Sequence, residues 1–95
     1  MVIWYLSTMN AALVKRVQTG VRLEKRLLKV LKALADYHDM TLGDLIEGIV
    51  LHAFDGKTPF GDESLSKIAE LKQVFGLTLD SRHAHHMKEA EDTPS

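Results

Sequence analysis

The sequence predicts a mainly α fold built as a homodimer. One short N-terminal strand would pair antiparallel across a two-fold axis, followed by two core helices and one or two extra C-terminal helices. Three observations predict it. Residues 16–23 alternate, with Val17, Thr19, Val21 and Leu23 on one side and Arg16, Gln18, Gly20 and Arg22 on the other; a period of two is that of a half-buried strand. Two stretches of helical period follow, residues 24–37 and 42–54, with no second strand nearby. A lone strand can neither satisfy its own backbone groups nor bury a face by itself. Its partner is therefore expected from a second copy of the chain.

Residues 1–15 read as an N-terminal arm or an extra segment. Ile3, Trp4, Tyr5 and Leu6 suit a strand, a packing arm or a tail, and Met9 offers an alternative start. The apolar run at 1–6 has no basic segment before it and is too short for a secretory signal, so a cytoplasmic location is expected. In the strand, Gly20 weakens an isolated segment but permits close approach of another backbone.

The first helix, near residues 24–37, carries a stripe of Leu27, Leu31 and Leu34, widened by Leu28, Val30 and Ala35. Lys25, Arg26, Lys29, Lys32 and Asp36 take the other side, the division expected of an amphipathic helix. Glu24 suits the positive end of the helix dipole. The second helix has the best-marked start in the chain. Thr41 is the expected N-cap, Asp44 stands where a capping box places an acid, and Met40 with Leu45 forms a hydrophobic staple. Its apolar positions, Leu42, Leu45, Ile46, Ile49, Val50, Ala53 and Phe54, follow the helical repeat without a miss.

Residues 55–62 form the clearest loop, with two glycines and a proline. A third helix is expected over residues 63–75, capped by Asp62 or Ser64 and ended by Gly76. A fourth, weaker helix capped by Asp80 is expected within residues 77–90. The domain plan is thus an arm (1–15), a strand-helix-helix unit (16–55), a helical extension (56–88) and a disordered acidic tail (89–95).

Ninety-five residues make one small domain, near the lower limit for a self-sufficient core. The chain has no cysteine, which excludes disulfides and thiolate metal sites. No apolar run approaches the ~20 residues that a membrane-spanning helix needs. The net charge of −1 hides an asymmetry. Residues 15–32 hold seven basic groups against Glu24, whereas residues 33–95 hold five basic and twelve acidic groups. A basic front and an acidic rear make an oriented field, and a polyanion would meet the front. Solvation of the outer helix face by Lys25, Arg26, Lys29 and Lys32 is the plainer account of those four.

Val21-Arg22-Leu23-Glu24, then Leu27, Leu28, Leu31, Leu34 and Ala35, then Met40-Thr41-Leu42-Gly43-Asp44-Leu45-Ile46 together resemble the ribbon-helix-helix family of DNA-binding repressors (Arc/MetJ/CopG type). The resemblance covers about forty of the 95 residues, near 16–54. It implies a two-stranded ribbon that enters the DNA major groove and a second helix whose start faces a phosphate. The base-contact candidates are then Arg16, Gln18 and Arg22, because Arg and Gln can bridge the two acceptors or the donor–acceptor pair on a purine edge. The phosphate-contact candidates are Thr41, Leu42 and Gly43 at a helix N-terminus, with Lys15 and Lys25. The dimer core would be Val21, Leu23, Leu27, Leu31, Leu45, Ile46, Ile49 and Val50.

This chain departs from the family pattern in four ways. Gly20 replaces a reading side chain, Asp44 opposes a phosphate, helix two holds no Lys or Arg, and no proline stands at or beside Glu24. Minimal members also end after helix two. His83 and His86 are weak metal candidates, and an exposed polar helix is the plainer account of them; no metal or other cofactor is expected. No nucleophile elbow or phosphate-cradling loop is present, so no enzyme is expected. The expected function is a sequence-specific transcriptional repressor acting as a homodimer on double-stranded DNA, with a dimer of dimers on adjacent half-sites as an extension. An antitoxin of the same fold, with residues 56–95 on a protein partner, and a dimeric protein-interaction module without DNA are the alternatives.

Overall fold

Leu27, Val30, Leu31, Leu34 and Ala35 recur at helical spacing and organise the molecule around one helix. In the structure, a computed structural model that describes residues 11–90, that helix is α1 (Lys25–Tyr37). α2 (Leu42–Phe54), α3 (Asp62–Phe75) and a short 3₁₀ turn (Ser81–His83) follow. Helices α2 and α3 both pack against α1. The core is small: Leu34, Ala35 and Leu45 are buried together, with Leu31, Ile49, Phe60, Ile68 and Leu71 partly buried around them. The described residues are mainly helical, and none of their helices is long and apolar enough to cross a membrane.

All three helices end in the same way. At α1, Met40 N–H reaches Ala35 O at 3.0 Å and Asp39 N–H reaches Asp36 O at 3.0 Å, with Asp39 left-handed at φ 57°. Gly56 (φ 70°) serves α2, with Lys57 N–H on His52 O at 2.8 Å, and Gly76 (φ 67°) serves α3, with Leu77 N–H on Lys72 O at 2.8 Å. These are Schellman closures, which satisfy the last carbonyls of a helix. They explain why the chain reverses within four residues between α1 and α2.

The helix starts differ in chemistry. Glu24 is the N-cap of α1, not its first residue, and its carboxylate accepts Leu27 N–H at 2.8 Å. Thr41 caps α2 as expected, accepting Asp44 N–H at 3.1 Å. The expected cap of α3 is corrected: Gly61 occupies that position, with no side-chain bond, and Asp62 is already helical. Asp62 and Glu63 instead place two charges in the first turn, where the helix dipole favours them.

The expected fourth helix is also corrected. Asp80 does cap a helical start, accepting Arg82 N–H at 3.0 Å, but only the 3₁₀ turn Ser81–His83 follows. Residues 77–90 lack the continuous apolar stripe that makes a helix worth burying, and His85 is left-handed at φ 67°. One extra helix, α3, stands where one or two were expected.

Residues 11–24 have no regular secondary structure, residues 11–23 are exposed, and no strand forms among the described residues. A ladder requires a second strand, and a single copy of the chain supplies no edge for one. Residues 1–10 of the expected arm and residues 91–95 of the expected acidic tail lie outside the described residues.

Candidate functional site

Residues 11–24 form an irregular arm before α1, and it brings Arg16 to α2. Arg16 crosses to the first two turns of α2. Its Nε donates to Glu47 Oε2 at 2.9 Å and its Nη2 to Glu47 Oε1 at 2.8 Å, and Asp44 Oδ1 lies 3.5 Å from Nη2. This is a two-pronged guanidinium–carboxylate pair, the geometry in which such pairs are strongest. The hydrogen bond and the opposite charge hold the Glu47 carboxyl below its ordinary value and raise the Arg16 guanidinium. Arg16 is thus paired with two carboxylates on the helix that begins with Thr41, Leu42 and Gly43, the candidate phosphate group.

At that helix start, Thr41 Oγ1 already accepts the Asp44 amide. Asp44 uses its carboxylate on Arg16 rather than completing a capping box with Thr41. Arg22 forms an ion pair with Glu89, near the end of the described residues. Gln18 is exposed on the arm between these two points. Lys15 and Lys25 are exposed, and Lys25, Lys29 and Lys32 share the outer face of α1. Arg26 is committed elsewhere. It donates to Gly76 O at 2.9 Å and to Glu24 at 3.2 Å, so it ties α1 to the end of α3.

The residues assigned to a dimer core lie mostly together. Val21, Leu23, Leu27, Leu31, Ile46 and Ile49 line one apolar groove of about 480 Å³ between the arm, α1 and α2. Phe60, Ile68, Leu77 and Leu79 line it as well. Leu45 is instead buried within the chain, against Leu34 and Ala35. Val50 is exposed, as are Leu51 at 62% and Phe54 at 81% further along α2.

The histidines do not assemble as a helix would have placed them. The Asp80 amide donates to His83 Nδ1 at 3.0 Å, which uses that nitrogen as part of a cap. The left-handed turn at His85 follows, so His83 and His86 do not share a helical face. No group of three potential ligands forms among the described residues.

Sequence reasoning missed the contacts that join distant segments. Tyr37 Oη donates to Glu63 at 2.6 Å, and Ser64 Oγ lies 3.0 Å from His38 Nε2, so α1 ends on the start of α3. The hydrogen bond to Glu63 raises the Tyr37 hydroxyl above its ordinary value. The Ser64–His38 pair has no carboxylate behind the histidine among the described residues, so it lacks the third group that orients a catalytic base. The Arg16–Glu47 contact was equally hidden, because 31 residues separate the partners. Its one visible signal was the acidic pair Asp44 and Glu47, spaced to share a helix face.

No protein-family model matches the chain, and comparison with characterised proteins and with solved structures finds no match.

Proposed function

We propose that the chain is a homodimeric DNA-binding transcriptional regulator of the ribbon-helix-helix kind, acting as a repressor. One observation carries the reading. The apolar side of the arm, at Val21 and Leu23, opens into the same groove as the α2 stripe at Ile46 and Ile49. A second copy covering that groove would pair the two arms and bury both apolar surfaces at once. Alternation along the arm then turns Arg16, Gln18 and Arg22 to the opposite side, where a major groove could receive them. Lys15 and Lys25 would add phosphate contacts.

A specific observation favours a second reading. Glu47 and Asp44 neutralise Arg16 at the point where DNA would approach. A dimer of this fold that binds protein instead of DNA accounts for that pair directly.

Binding to arbitrary duplex DNA as a function of salt separates the readings. The log–log slope reports about 0.9 per phosphate neutralised. We expect measurable affinity at low salt with a steep slope, and a shallower slope in R16A/R22A. A stable dimer with no DNA affinity at low salt would reject the regulator and leave the protein-binding dimer.

A further inference from the structure

We infer that the chain carries its own electrostatic latch, in which Glu47 and Glu89 occupy the arginines that would otherwise engage DNA. The inference rests on the DNA-binding reading above and adds its regulation. The geometry at Arg16 sets the two partners in competition. A guanidinium reads a guanine edge, or grips a phosphate, with a two-pronged fork of N–H donors. The Nε and Nη2 donors of Arg16 are both spent on Glu47, at 2.9 and 2.8 Å. Asp44 adds a second negative charge at 3.5 Å. DNA and Glu47 thus compete for the same donors.

A second, independent contact, one-pronged, lies six residues along the arm. Arg22 is held by Glu89, which belongs to the C-terminal segment, 67 residues away in sequence. The arm is therefore tied to acidic groups on either side of Gln18, one on α2 and one beyond the 3₁₀ turn. Neither acid is needed for the core: Glu47 and Glu89 are both exposed, and the buried residues among those described are all apolar. The acids are placed where they affect the cationic face and little else.

The strength of these contacts sets the device's character. Pairs whose side chains are 46–60% and 71–83% exposed are weak and salt-screened. Each can subtract only a few-fold from DNA affinity. The latch is a bias that a well-matched site overcomes, not a block. It also predicts a distinctive salt response. An arginine that leaves a carboxylate to reach a phosphate exposes a new negative charge, which takes up a cation. Fewer ions are released in total than in DNA binding by an arginine with no internal partner.

The test uses the full chain and its E47Q, E89Q and E47Q/E89Q variants with arbitrary duplex DNA across a salt series. D36N serves as the control, since it removes one exposed charge from α1 without releasing an arginine. Each single latch variant is expected to bind about three- to five-fold more tightly than wild type, and the double variant by about the product of the two. The salt slope is expected to steepen, and D36N is expected to change affinity less than two-fold. Circular dichroism is expected to be the same for all. If wild type binds DNA and E47Q/E89Q gains no more than D36N, the latch is overturned and the DNA-binding reading stands. If no variant binds at any salt, both are overturned.

Discussion

Glu24 shows how one side chain sets a boundary that periodicity leaves vague. The helical repeat begins near it, but its carboxylate turns back to accept the Leu27 amide, so it stands outside α1 as the cap. That bond, more than the nearby Arg26, holds the Glu24 carboxyl below its ordinary value. A carboxyl depressed in the folded state contributes stability above its unfolded pKa, and the contribution is lost as pH falls through the folded value. We therefore expect the melting temperature to fall on acidification through and below the normal carboxylate range. Glu24→Gln should melt lower than wild type at neutral pH, and the difference between the two should close in acid. Thermal melts followed by circular dichroism from pH 7 to pH 3 check this; a difference that stays constant with pH would reject the cap as its source.

The elements show which signals are local enough to read. α2 was legible to the residue because Thr41 at its start and Gly56 after its end are short-range devices. Residue 76 ended α3 for the same reason. The start of α3 was misread because Gly61 caps with backbone alone, while two better-looking side chains stand beside it. The segment after Leu77 was misread because a genuine cap at Asp80 does not make a helix without an apolar face to bury. The closure after α1 carried no sequence signal, since an aspartate holds the left-handed position usually given to glycine. For an L-residue that conformation costs about 1–2 kcal/mol, with Asp at the low end. Asp39→Gly is therefore expected to stabilise, and Asp39→Ala to destabilise, with about 1 kcal/mol between the two variants. Urea unfolding of the three proteins checks the order; Ala matching Gly would show that this turn is not under strain.

At the scale of the molecule, the candidate site was half legible. The alternation that marked Arg16, Gln18 and Arg22 lies within eight residues, so it could be read. Their partners Glu47 and Glu89 are brought in only by the tertiary fold. The same holds for the groove, whose lining comes from the arm, all three helices, the loop before α3 and the segment after it. Only Val30, Leu34, Ala35, Leu45 and Leu77 are buried among the described residues, while much of the α2 stripe faces outward. A chain that relies on a second copy gains stability by mass action. The melting temperature is expected to rise by several degrees between micromolar and hundred-micromolar protein, in step with a mass that approaches twice 10.7 kDa. Calorimetry paired with sedimentation equilibrium measures both, and a constant melting point with a monomeric mass would count against the dimer.

The tie from Arg26 to the Gly76 carbonyl, with Ile68 and Leu71 packed on Leu34, has a consequence for how such a protein can be inherited. The sequence invites a cut near residue 56, in the glycine-containing loop after α2. A gene ending there would encode a central helix with one flank wet and one arginine stripped of its anchor. Recombination at that point would separate α1 from the helix that packs on it, so α3 is expected to travel with the two helices before it.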